Sequence, residues 1–130
     1  MKKLVLAIAI ATALLPAHVA AAGAPPGRCP KLEPAIKRHG LPVKKFSYII
    51  WRESRCNPKS ISAVRSTGYP DVGAAQIQGS WRTVTYAVCH LKPTQNHIKA
   101  LTNLDCNLSV AKYLFDHGGY GHWRGSSYHG

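Results

Sequence analysis

The chain has 130 residues, of which 17 are lysine or arginine and five are aspartate or glutamate, giving a formal charge of +12. A chain this short fits one domain. The charge attracts polyanions, but it is spread through the sequence in short runs, which excludes a basic tail of the nucleic-acid-binding kind.

Met1 to Ala22 carries Lys2 and Lys3, an apolar run from Leu4 to Leu15, and then the small residues Ala20, Ala21 and Ala22. This order predicts a secretory signal peptide over residues 1–22. The run is too short to cross a hydrocarbon core, which takes about 20 residues. The mature chain is therefore expected to be secreted or periplasmic, with a charge of +10 once Lys2 and Lys3 are gone. Outside the cytoplasm a cationic surface meets anionic envelope polymers before nucleic acid, so envelope polymers are the expected acidic partner. Residues 23–30, rich in proline and glycine, read as a flexible leader, and residues 31–130 as the domain.

Cys29, Cys56, Cys89 and Cys106 make an even set in a small exported domain, which points to two disulfides. Of three possible pairings, Cys29–Cys56 and Cys89–Cys106 are favoured because each closes a modest loop. Zinc is the rival, weakened by the lack of a Cys-x-x-Cys arm.

A first helix is predicted from Lys31 to His39, stopped at Gly40, whose missing Cβ suits a left-handed cap. Pro42 opens the next helix, where a missing amide costs nothing. Through Arg55 its apolar residues Val43, Phe46 and Ile50 recur at helical spacing, and Glu53 continues the same stripe. An acid on the apolar side of a helix needs a reason, because an ionised carboxylate is costly to bury. Glycoside hydrolysis supplies one: the acid must hold its proton near neutral pH, and desolvation raises a carboxyl pKa. The plain alternative is a glutamate paired with Arg52 or Arg55.

Residues 60–71 read as loops with short strands. Beyond Gly73, Ser80 is expected to cap a helix carrying Trp81, Val84, Tyr86 and Val88, and Thr94 another through Ile98 and Leu101. Asn103 or Asp105 is expected to cap the last clear helix, whose stripe is Leu108, Ala111, Leu114 and Phe115, closed by Gly118 and Gly119. The tail beyond is glycine, aromatic and histidine. His117, His122 and His129 invite a metal, but their flexible spacing offers no formed ligand geometry, so neither metal nor cofactor is expected. No phosphate-cradling loop or nucleic-acid module is recognisable.

Glu53-Ser54 with Asn57, followed by Asp71-Val72-Gly73-Ala74-Ala75-Gln76-Ile77, resembles the lysozyme superfamily, which includes C-type lysozymes and specialised lytic transglycosylases. Ala111-Lys112, Asp116 and Trp123-Arg124 are similar to the helix and tryptophan wall of C-type enzymes, so the likeness runs from Phe46 to Arg124. It implies a predominantly helical α+β, lysozyme-like fold, with a small β and loop region beside the catalytic helix. It also implies that Glu53 is the acid and that Asp71 is the second carboxylate. Gln76 would line the opposite wall or hold the strand in place. Tyr113, Tyr120 and Trp123 would stack on sugars or pack in the core. The implied substrate is the β-1,4-linked aminosugar strand of peptidoglycan, cut by hydrolysis or by anhydro-forming lysis, and the enzyme is expected to be a monomer. Departures from the family are the smaller number of cysteines, Gln78 after Gln76-Ile77, the small Ala74 and Ala75, and no Ala-Tyr-Asn segment late in the chain. Two other classes fit the same composition: a non-catalytic cationic envelope binder or antimicrobial protein, and an exported nuclease.

Overall fold

Helix α2, Val43–Ser54, is the axis of the molecule in the computed structural model, which describes residues 26–127. Phe46, Ser47, Ile49, Ile50 and Ser54 are buried along one side of it. The side chains of these residues repeat at three and four, so one face of about 100° enters the core. The helix stops because Arg55 and Cys56 both take left-handed backbone angles, with φ of 52° and 64°. Each costs about 1–2 kcal/mol for a residue with a Cβ. Two anchors offset the cost: the Arg55 amide bonds to the Trp51 carbonyl at 3.0 Å, and Cys56 is bridged to Cys29.

Before α2, a single 3-10 turn at Pro30–Leu32 runs into α1, Glu33–Arg38, which ends with Gly40 at φ 70°. Arg28 to Pro30, assigned by composition to the leader, belong to the fold. Cys29 is buried, its amide donates to Ser47 Oγ at 2.8 Å, and its sulfur is in the disulfide. The signal-peptide assignment falls outside the described residues.

The β region is minimal. Strand β1, Asp71–Val72, pairs antiparallel with β2, Ile77–Gln78, in the register Asp71 to Gln78 and Val72 to Ile77. Ile61 adds one bridge to Val72, so the loop over residues 60–71 lies along the outer side of β1. Helices α3, Arg82–Val88, α4, His97–Ala100, and α5, Leu104–Gly118, follow. A second disulfide, Cys89–Cys106, ties the end of α3 to the first turn of α5. The bridges span separations of 27 and 17 residues, and loops of that size restrict the unfolded chain by about 3–4 kcal/mol each. Two such bonds mark an oxidising compartment.

Of the two expected candidates, Asn103 and Asp105, it is Asn103 that caps α5, accepting from the Cys106 amide at 3.1 Å. Two other caps differ from expectation. Ser80 caps nothing: its amide is taken by Gln78 Oε1 at 2.7 Å, and α3 starts at Arg82 behind Trp81 with no side-chain cap. Thr94 is replaced by Asn96, whose Oδ1 accepts from the Lys99 amide at 3.0 Å. The reason is a turn at residues 92–95, closed by the Gln95 side chain on the Lys92 amide. The tail, read from the sequence only as glycine, aromatic and histidine, forms a 3-10 turn at Gly121–Trp123 and then α6, Arg124–Ser127. The result is a small α+β fold in which about half of the described residues are helical, with a two-stranded antiparallel sheet.

Candidate functional site

Glu53 lies one residue from the end of α2, on the buried face between fully buried Ile49 and Ile50 and buried Ser54, and it is itself only partly buried. Helix and core thus bring a carboxyl to the edge of the interior and stop there. The chain then crosses to the hairpin through a run of backbone bonds. The Asn57 amide reaches the Ser54 carbonyl, the Ser60 amide the Asn57 carbonyl, and the Gly73 amide the Ser60 carbonyl at 2.7 Å.

Asp71 opens β1 and is 8% exposed. Its Oδ2 accepts from Arg65 Nε at 2.5 Å, and its backbone amide donates to Ser62 Oγ at 2.8 Å. Arg65 reaches it from the loop over residues 60–71. Gln76, in a left-handed conformation with φ 50°, turns its side-chain amide back on the hairpin, donating to the carbonyls of Ser60 and Gly73 at 3.1 and 3.0 Å. In this conformation Gln76 braces the loop that carries Asp71.

Trp123, expected either to stack on a sugar or to pack in the core, is 2% exposed and takes the second role. Its ring meets that of Phe46 edge-on at 5.1 Å, and its indole N–H donates to the Ala75 carbonyl at 2.9 Å. A ring so enclosed has no face to offer a sugar, and it acts as a strut between α2 and the hairpin. Trp123→Phe is expected to keep the ring contacts while stranding the Ala75 carbonyl, at a cost of about 1–3 kcal/mol. Denaturant unfolding monitored by circular dichroism reads that loss directly. Tyr120 joins the same aromatic group, 5.1 Å from Phe115 and 5.9 Å from Phe46, with Lys45 over its ring. Tyr113 stands apart on α5, stacked on His117 at 4.0 Å.

The structure ties Trp123 to the hairpin at Ala75 and Gln76 to the loop beside Asp71, Tyr120 packs on Phe46 and Phe115, and the chain from the end of α2 at Ser54 reaches the hairpin through Asn57 and Ser60. It also shows residues that the sequence pattern did not single out. Asn107, wholly buried, donates to the carbonyls of Val72 and Leu101 and accepts from the Ala75 amide, all within 2.9 Å. It fixes the β1–β2 loop on α5. A polar side chain one turn into an apolar helix was the available signal. Trp81 is 37% exposed and meets His122 edge-on at 6.0 Å.

His122 keeps an exposed edge, yet its ring lies against both Trp81 and Trp123. Desolvation there holds its pKa below the ordinary 6.5, while the charge of Asp71 pulls the other way. Glu33 and Asp105 are also lowered, the first mainly by its hydrogen bond with Arg28 and the second mainly by that with His39. All three shifts act in one direction. A neutral His122 and two ionised carboxylates stabilise the fold above their unfolded-state values, and that stability is lost as pH falls through the lowered ones. The melting temperature is therefore expected to fall as pH drops below 6.5, and again below about 4. His122→Gln should flatten the upper part of that profile and leave the lower part.

His117 and His122 serve different rings, and His129 lies outside the described residues. Among the described residues no three histidine, cysteine, aspartate or glutamate side chains come close enough to hold a metal ion. No protein-family model matches the chain, and no curated protein matches its sequence.

Proposed function

We propose that this protein is an exported, lysozyme-like glycosidase that cuts the β-1,4 bond between N-acetylmuramic acid and N-acetylglucosamine in peptidoglycan. The observation that carries the proposal is Glu53, an acid on the core-facing side of α2 with fully buried neighbours and its own side chain still reaching the surface. Glu53 protonates the leaving oxygen, the step in which a general acid contributes most to breaking a glycosidic bond. Asp71, across the Ser54 to Ser60 connection, supplies negative charge to the oxocarbenium-like centre. Either water or the sugar's own hydroxyl then completes the reaction. Gln76, Asn107 and Trp123 hold the hairpin at a fixed place relative to α2, as such a carboxylate pair requires. The charge of +10 left once Lys2 and Lys3 are gone favours approach to an anionic wall.

Release of new reducing or anhydro sugar ends from purified cell walls tests this assignment. Walls incubated with the protein should lose turbidity and yield soluble disaccharide peptides, with no new free amino groups. Walls that gain free amino groups and keep intact glycan strands would move the activity to the peptide.

One observation favours a second reading. Arg65 already occupies an oxygen of Asp71, as it can in a protein that keeps the fold and binds the envelope without turnover. That protein would pellet with walls in a salt-sensitive way, and Glu53→Gln would not alter its pelleting.

A further inference from the structure

The solvent face of α2, opposite the side that carries Glu53, has its own chemistry. Lys44, Tyr48, Trp51 and Arg55 follow at spacings of four, three and four, so they form one line along the helix. Tyr48 and Trp51 are partly buried with ring centroids 6.2 Å apart, and the Arg55 guanidinium lies 4.0 Å above the Trp51 ring. At the Lys44 end the line opens into a hollow of about 800 Å3, walled by Gly27, Arg28, Pro42, Val43 and Tyr48. The Cys29–Cys56 bridge holds the Gly27–Arg28 segment in place as the second wall.

Charge is uneven here. Glu33, Asp71, Asp105 and Asp116 each sit against a cation of the chain, and the Glu33 carboxylate in this hollow is already bonded by Arg28. Lys44 and Arg55 are exposed, and because the Arg55 guanidinium folds back to the Trp51 carbonyl at 3.2 Å, the Lys44 backbone and that cation stand about 10 Å apart along the axis, at 1.5 Å per residue. One small anion cannot bridge that distance, whereas a polymer with repeated charges can. The Tyr48 ring between the two cations suits a sugar face, with Trp51 and the Arg55 guanidinium on it forming the cationic end of the line.

We propose that this face, on the side of α2 opposite Glu53, is a second binding site for a polyanionic glycan whose sugar repeats are joined by phosphodiesters. The disulfides favour an envelope polymer over nucleic acid. A lipid surface fits less well, because the large exposed apolar side chains, Ile61, Val64 and Trp81, lie elsewhere. The site keeps the protein on the wall while the opposite side of α2 is left to work on the glycan strand.

Titration calorimetry on the full mature chain with a purified sugar-phosphate wall polymer tests the site. The Lys44→Glu, Arg55→Glu pair is expected to weaken binding by about tenfold or more, since two attractions become repulsions. The Lys92→Glu, Lys99→Glu pair, with the same change in net charge, should weaken it by no more than about twofold. Trp51→Leu, which keeps an apolar group, should also weaken it. Should the charge-reversed pair lose its circular dichroism signal, Lys44→Gln and Arg55→Gln are compared with Lys92→Gln and Lys99→Gln, and only the first two should weaken binding. Equal losses in both pairs would overturn the proposal, leaving bulk charge alone. So would variants that lose affinity for single-stranded DNA or anionic vesicles while binding the wall polymer unchanged.

Discussion

Glu53→Gln is expected to slow wall clearance by at least about a hundredfold, the usual contribution of a positioned general acid, with little change in melting temperature. The exchange keeps the size and shape of the side chain. Glutamine's amide cannot give up a proton to a leaving sugar oxygen, so the chemistry is removed and the packing beside Ile49 and Ile50 is kept. Activity on purified walls and the unfolding midpoint should be measured on the same preparation. An inactive protein with an unchanged midpoint is the expected pair of results. Undiminished clearance would mean that Glu53 is not the acid. Asp71→Asn is expected to cost less in rate, because the second carboxylate stabilises charge without transferring a proton, and to release Arg65.

The second large effect is on the fold. Gly73→Ala is expected to cost about 4 kcal/mol or more, an exceptional loss for one methyl group. Gly73 has φ 79°, and a Cβ there would lie 2.2 Å from Asn107 Nδ2 and 2.3 Å from the Leu101 carbonyl oxygen. Asn107 cannot step aside without giving up its bonds to Val72, Ala75 and Leu101, and the Leu101 oxygen is backbone. A domain this size has only about 5–15 kcal/mol of net stability, so the variant should unfold at much lower denaturant. Gly68→Ala is the control. Its φ is 82°, but nothing lies within 4 Å of the added Cβ, so only the backbone penalty of about 1–2 kcal/mol applies. Equal losses at the two positions would show that conformation alone, and not contact with Asn107, matters at Gly73.

Local signals in the sequence were sufficient for α2, Gly40, the Asn103 cap and the apolar stripe of α5, because each depends on residues within one or two turns. The two disulfide pairings favoured on loop size are those formed. The caps at Ser80 and Thr94 failed for a local but subtler reason: Gln78 and Gln95 bonded the turn amides first. The strut role of Trp123 and the clamp role of Asn107 rest on partners 48 and 32 to 35 residues away. No short window holds such pairs. No element was assigned to the tail because its glycines carry no helical pattern, while Phe46 and Phe115 supply the surface on which it folds. For the site, the position of Glu53 within an apolar stripe was visible at once, whereas the Arg65 bond to Asp71 and the exposure of Trp81 emerged only with the tertiary structure.

Mass spectrometry of the fragments released from purified peptidoglycan puts the central assignment to the most direct test. Cleavage at the aminosugar bond predicts disaccharide peptides ending in either a water-added reducing sugar or its anhydro form, produced by the wild type and absent with Glu53→Gln. Glycan strands that stay full length under wild-type protein, or identical fragments from both proteins, would contradict it.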